Sequence, residues 1–254
     1  MRRLRIMFIL VLSLVFCSTL IAQQSPPRDP QAVAILQRSF VAMGGANLAA
    51  IRGTEIQAQV AVPKDGGISV SPATIKTLGF QNFRFESGTS LFIANDQAAS
   101  IQTGAETPQS LSRRSIGKAG ITHLPLLSIL ADWNEPTMRA EYIGIVKLGN
   151  ATAHQVRLTP SVSADIPKEL ESPCEIFIDP QSLLVIKLIY LLRAPGNLRF
   201  SAPMEVFYSD YRTFGGIAVP FVVTYKFRGQ LTQEYRVTSV SFHHGLQVSD
   251  FQPR

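Results

Sequence analysis

The chain has 254 residues, with 24 Lys and Arg against 18 Asp and Glu, a net charge of +6. Three of those cations, Arg2, Arg3 and Arg5, crowd the N-terminus, so the rest of the chain carries only 21 − 18 = +3. That balance, with no long Lys/Arg run, excludes a nucleic-acid binder.

The first 22 residues read as a secretory signal, with the three arginines ahead of an apolar stretch from Ile6 to Phe16. Ser13, Cys17, Ser18 and Thr19 interrupt the stretch within the ~20 apolar residues that a membrane span needs, so cleavage is expected rather than anchoring. The best cut follows Ala22, although Leu20 leaves the small-residue rule half satisfied. Lipidation at Cys17 is disfavoured because Phe16 stands where such signals require a small residue. The division is 1–22 signal and 23–254 a single domain, since no Gly- or Ser-rich linker or internal repeat splits the remainder. With Cys17 in the signal, Cys174 is left alone and no internal disulfide can form. In CEIFID, Cys174 shares a strand face with Ile176 and Ile178, which suits a buried small hydrophobe better than a nucleophile.

One helix comes next. Asp29 caps it, Pro30 fits its first turn, Ala32, Val33, Leu36, Phe40 and Met43 form an apolar stripe, and Gly44-Gly45 ends it. Strands follow, marked by period-two alternation. Ile56, Ala58, Val60 and Val62 oppose Glu55, Gln57 and Gln59. Met138, Ala140, Tyr142, Val146 and Leu148 oppose Arg139, Glu141 and Lys147. Val219, Phe221, Val223, Tyr225 and Phe227 oppose Thr224, Lys226 and Arg228. One wet and one dry face is the mark of an antiparallel sheet. Turn signals at Asp179-Pro180-Gln181-Ser182 and Gly215-Gly216 point to hairpins. Ten or eleven strands are expected from Gly53 to Phe242, and a sheet that wide curls.

Two segments depart from alternation. LLVIKLIYLL, Leu183 to Leu192, is apolar on both faces apart from Lys187, as a strand covered on both sides would be. HLPLLSILADW has Pro125 at a helix start, and Leu126, Leu127, Ile129, Leu130 and Trp133 leave that helix apolar nearly all round. Either loops and the 15 Phe residues complete an ordinary core, or the sheet keeps an apolar cavity open. Composition supports both equally.

The search for chemistry is nearly empty. G-x-S-x-G, H-E-x-x-H and G-x-G-x-x-G are absent, and IGKAG around Lys118 lacks the Ser/Thr of a phosphate loop. Adjacent His243 and His244 point to opposite faces of a strand and cannot share a metal. His123 and His154 suit capping or surface roles. The closest carboxylates, Glu169, Glu171 and Glu175, lie in what reads as a loop entering a strand rather than as a buried acid–base pair. The compact basic group Arg113, Arg114 and Lys118 is either a solvated loop or a cationic rim for an anionic head group. Asn150-Ala151-Thr152 is a glycosylation sequon, meaningful only in a eukaryote.

The C-terminal stretch carries a strand ending in Asp210-Tyr211, the Gly215-Gly216 turn, a strand marked by Pro220, a strand with Val237-Thr238, and a closing Phe251-Gln252-Pro253. This pattern resembles the closing strands of bacterial lipoprotein-carrier (LolA/LolB-like) proteins and related outer-membrane lipoprotein-sorting proteins. CEIFIDPQSLLVIKL is similar to the family's hairpin, and FVAMGGANLAAIRGTEIQAQV to its opening helix, double glycine and first strand. The resemblance implies a mainly β fold: a single strongly curved antiparallel sheet, an incomplete β-barrel, with helices packed on its concave side around a hydrophobic cavity.

It also implies an exported, periplasmic, non-enzymatic carrier of lipids or acylated lipoproteins. Such a protein would meet inner- and outer-membrane lipoprotein-sorting machinery and need no cofactor, metal or nucleic acid. On this reading Phe83, Phe85, Leu91, Val185, Phe221, Val223 and Tyr225 form the wall, and Leu127, Leu130 and Trp133 the lid. A one-residue register error would invert a face assignment. The alternatives are an envelope scaffold with a filled core and an envelope hydrolase.

Overall fold

The computed structural model describes residues 28–64, 66–79, 82–95, 97–111, 130, 133–134, 138–160, 173–194, 197–242 and 245–253. The signal (1–22), Leu127, the Arg113/Arg114/Lys118 group, His123, His243, His244, Glu169 and Glu171 lie outside the described residues.

Helix α1 runs from Pro30 to Ala42 and the short α2 from Ala46 to Ala49. The strands are β1 (Gly53–Lys64), β2 (Gly67–Leu78), β3 (Asn82–Ser87), β4 (Ser90–Ala94), β5 (Ala99–Thr103), β6 (Gln109–Leu111) and β7 (Met138–Leu148). Then come β8 (Ala151–Pro160), β9 (Cys174–Ile178), β10 (Val185–Ala194), β11 (Asn197–Phe214), β12 (Ile217–Phe227) and β13 (Gln230–Phe242), and a 3-10 turn at Val248–Phe251. All thirteen strands join one sheet in the order β6-β5-β4-β3-β2-β1-β13-β12-β11-β10-β9-β8-β7, and every pairing between named strands is antiparallel.

The sheet is open, with β6 and β7 as its edges. It consists of two meanders, β1 to β6 and β7 to β13, joined where β13 pairs with β1. Two or three more strands are present than alternation reveals, because short strands such as ASIQT and QSL have no apolar period to show. The crossing from one free edge to the other falls between Leu111 and Met138, in the stretch that contains the all-apolar segment.

One face of the sheet, the inner face, carries the core. Ile56, Ala58, Val60, Ile75, Leu188, Val206 and Val223 belong to a single buried cluster with Leu36 of α1 and Met43 just after it. The helix forms as its signals require: the Asp29 carboxylate accepts from the Gln31 amide at 2.8 Å, and Pro30 occupies the first position. Its buried stripe is Ala32, Ile35, Leu36 and Ser39. Val33 and Phe40 are only partly buried, a modest rotation of the expected stripe.

The helix is pinned at both ends. At the first, Asp29 N–H donates to the Ala140 carbonyl (2.9 Å), the Asp29 carboxylate accepts from Tyr142 N–H (3.3 Å), and Arg28 forms a parallel bridge to Ala140 along the β7 edge. At the second, Ala218 N–H donates to the Met43 carbonyl at 3.0 Å. The strap therefore runs from the β7 edge to β12.

The expected alternation of β7 is corrected at its centre. The register shifts between Tyr142 and Gly144, where Tyr142 faces Val156 but Ile145 faces His154. Val146, opposite the fully buried Ala153, thus lies on the other side from Ala140 and Tyr142, and Leu148 with it. An extra residue at a bulge moves every later side chain to the other face, and Gly144 at φ 139° accommodates it.

The outer face is covered in places. The 3-10 turn packs on β3, with Arg84 Nη1 donating to the Asp250 carbonyl (3.1 Å) and Asn95 Nδ2 to the Phe251 carbonyl (3.2 Å), above a fully buried Phe251. On β10, Lys187 is buried between the rings of Phe177 (5.5 Å) and Phe207 (4.9 Å) and pairs with Glu205. The doubly apolar run is thus an interior strand, as expected, although Leu183 and Leu184 belong to the turn before it.

Candidate functional site

The inner face is built by strands that present alternate side chains to α1. On β3 it receives Phe83, fully buried, and Phe85, which faces Phe92 across the β3–β4 pair and sets its ring edge-on to Tyr235 at 6.1 Å. On β10 it receives Val185, and on β12 Phe221, Val223 and Tyr225. Phe221 stacks on Phe214 (5.2 Å between centroids), with the Arg212 guanidinium 4.2 Å from its ring. Leu130 and Trp133 belong to the same buried cluster. Leu91 does not: it pairs with Glu86, one step out of phase with Phe85 and Phe92, which places it on the outer face.

A feature that the sequence reading missed is a group of tyrosines on and around the inner face. Tyr208 faces Val223, Val223 faces Tyr235, and the Tyr225 and Tyr235 rings meet edge-on at 5.5 Å. The Tyr211 hydroxyl donates to the Val185 carbonyl. Burial pushes the phenols of Tyr208, Tyr211, Tyr225 and Tyr235 well above the ordinary tyrosine range, because a phenolate there would lose its hydration. These side chains stay neutral hydrogen-bond donors throughout the physiological range. The period-two spacing of Val206 and Tyr208, and of Tyr235 and Val237, was the available signal.

At the β7–β8 edge a second feature appears, a cavity of about 450 Å3 lined by Arg28, Asp29, Arg139, Ala140, Glu141, Arg157 and Thr159. Its arginines Arg28 and Arg157 are held by neighbouring groups. Arg28 donates to the Met138 and Trp133 carbonyls and to Asn134 Oδ1. Arg157 pairs with Glu175 (2.7 Å) and Glu141 (3.3 Å), and the Glu175 bond, followed by the charges of both carboxylates, raises its pKa against the opposing effect of burial. The hollow is thus lined by three arginines and two carboxylates, with Arg157 held in ion pairs. Elsewhere, His154 Nδ1 lies 3.0 Å from the Tyr142 hydroxyl, and Cys174 is half-buried beside the core. Among the described residues no cluster of His, Cys, Asp and Glu has the geometry of a metal site.

A one-sheet inner face with a helical strap defines the class: the chain has the LolA-like fold. It resembles an outer membrane lipoprotein-sorting protein domain from Vibrio parahaemolyticus (TM-score 0.56, 10% identity, 87% of this chain and 96% of that one). A DUF1329 family protein from Desulfovibrio piger aligns at TM-score 0.59 and 10% identity over 88% of this chain and 98% of its own. A LolA superfamily protein from Nitrosomonas europaea aligns at TM-score 0.52 and 10% identity over 87% and 97%. No family model matches the sequence, and no curated protein does. The likeness is therefore one of fold.

Proposed function

We propose that the protein is an exported, periplasmic carrier or binding protein for lipids or acylated lipoproteins, which holds acyl chains against the inner face of its open sheet. The observation that carries this reading is that Leu130 and Trp133, from the connection between β6 and β7, join the apolar cluster of the inner face. That connection takes the chain from one edge of the sheet to the other. Leu130 and Trp133 packed against the apolar inner face suit a long hydrophobic guest. Phe83, Phe85, Val185, Phe221, Val223 and Tyr225 serve as wall and Leu127, Leu130 and Trp133 as lid, and the role is binding rather than catalysis. Burying ~300 Å2 of acyl chain at ~25 cal/mol per Å2 gives ~7 kcal/mol before ordering costs, a scale that suits reversible carriage. The sorting role in the name of the Vibrio domain is consistent with such cargo.

An envelope scaffold with a filled core is the second reading. Its support is that Phe83, Val185 and Val223 are each at most 1% exposed. Native mass spectrometry of the mature protein purified from its own envelope, followed by solvent extraction, separates the two. The carrier reading expects stoichiometric lipid. A clean protein mass, with no uptake of an added fluorescent fatty acid, leaves the scaffold.

A further inference from the structure

The inner face holds a hydroxyl in an unusual position. Tyr208 stands on β11 opposite Val223, with 3% of its surface exposed, and its hydroxyl oxygen exposes less than 1 Å2. That hydroxyl has no hydrogen-bond partner among the described residues. Across from the sheet, on the buried stripe of α1, the Ser39 hydroxyl is in the same condition. Buried polar atoms are nearly always paired, and those that are not call for an explanation. Two orphaned hydroxyls, one on the strap and one on the sheet it covers, are a costly way to fill a permanent core, where Ala and Phe would pack without the penalty.

The surroundings fix the chemistry of a missing partner. The groups that bear on the Tyr208 phenol are Tyr211, Cys174 and Tyr190, with no Lys, Arg, Asp or Glu among them. Tyr211 is already committed to the Val185 carbonyl. Lys187, 9% exposed, is the one charged residue in the buried set among the described residues, and it lies on the outer face, paired with Glu205. A carboxylate or phosphate at Tyr208 would find no counter-charge. A neutral oxygen with free lone pairs would take the phenol's proton in a hydrogen bond without bringing charge into an apolar site. Burial also keeps that phenol protonated and able to donate.

Resting on the carrier reading, we infer that Tyr208 is the polar anchor of the binding face and donates a hydrogen bond to the ester carbonyl of a bound acyl chain. The hydrocarbon then supplies most of the affinity, while the carbonyl fixes how far the chain slides along the sheet. Such division is usual where a few polar groups orient a ligand in an apolar site.

The test compares monopalmitoylglycerol, which has the ester carbonyl, with its hexadecyl ether, which lacks it. Both are titrated against a displaced fluorescent fatty acid in the mature wild-type protein and in Tyr208→Phe. The wild type is expected to prefer the ester by roughly 5- to 10-fold, the size of one neutral hydrogen bond. Tyr208→Phe should bind both with the wild-type affinity for the ether. Equal affinities in the wild type, or an ester preference that survives in Tyr208→Phe, overturns the anchor while leaving the carrier intact. Failure of both lipids to bind the wild type removes the carrier reading and the anchor with it. The melting temperature of ligand-free Tyr208→Phe should equal or exceed that of the wild type, since an unsatisfied hydroxyl is removed. A clear fall would show that the hydroxyl is satisfied within the fold and would also overturn the assignment.

Discussion

Gly44 stands where α1 meets the β11–β12 hairpin, at φ 133°, and a Cβ built there would lie 2.9 Å from the Gly216 carbonyl oxygen and 3.1 Å from the Ile217 Cα. Both obstacles are backbone and cannot swing aside. The double glycine that ends the helix is therefore also the contact that lets Met43 accept the Ala218 amide. Gly44→Ala should cost about 2–4 kcal/mol, from forbidden φ and the clash together, read as a lower midpoint in urea unfolding. Gly45, at φ 52° and 3.8 Å from its nearest neighbour, carries only the φ penalty and should cost less. Other residue-scale signals were legible because their chemistry is local. Asp179 accepts from the amides of Ser182 (2.7 Å) and Gln181 (3.1 Å), and those bonds hold its carboxyl below the usual aspartate range. A reader of DPQS needs no tertiary contact to foresee that turn. Leu91 shows the opposite case. It is as apolar as its neighbours in SLFIA, and only its pairing with Glu86 reveals that it points outward.

At the scale of elements, α1 and β12 could be read directly, because each buries one face and shows the matching period. The β7 bulge could not, since MRAEYIGIVKL keeps an acceptable alternation in either phase and the cross-strand partners decide it. The edge role of β7 was equally hidden, although the device that protects it lies in plain sequence. Arg28 and Asp29 lie along that edge, where a bare strand would offer its amides to another chain. Asp29 serves the helix and the sheet with one carboxylate, capping Gln31 and accepting from Tyr142. Asp29→Ala should therefore destabilise by about 1–2 kcal/mol, the cost of a lost helix cap. Unlike an ordinary cap mutation it should also speed hydrogen exchange at the Tyr142 amide, far away in sequence. Loss of stability with Tyr142 exchange unchanged would mean that the second bond contributes nothing.

The whole molecule is two meanders of one sheet sharing an inner face, and how dry that face is decides what it can hold. The apolar inner face was legible on most strands, but its tyrosines were not, since an isolated Tyr in a strand pattern reads equally well as a rim residue. The phenols provide the measure. Tyr208, Tyr211, Tyr225 and Tyr235 all have pKa values raised by burial, whereas in the unfolded chain they titrate near the ordinary value of about 10. Below that value both states carry the same protons and these groups leave stability independent of pH. Above it the unfolded chain loses protons that the native state retains, so stability falls with rising pH until the native phenols also ionise. The slope is about 1.4 kcal/mol per pH unit for each phenol that stays protonated, roughly 5 to 6 for the four together. Phenolate absorbance from these four should then appear in step with loss of the β-sheet circular dichroism signal, as a single steep transition. Ionisation while the sheet signal persists would show that water reaches the inner face, and a wet face cannot hold an acyl chain by burial alone. A joint transition that moves to higher pH when lipid is added would tie the dryness of the wall to its cargo, because a guest that binds only the folded sheet adds its binding free energy to the native state.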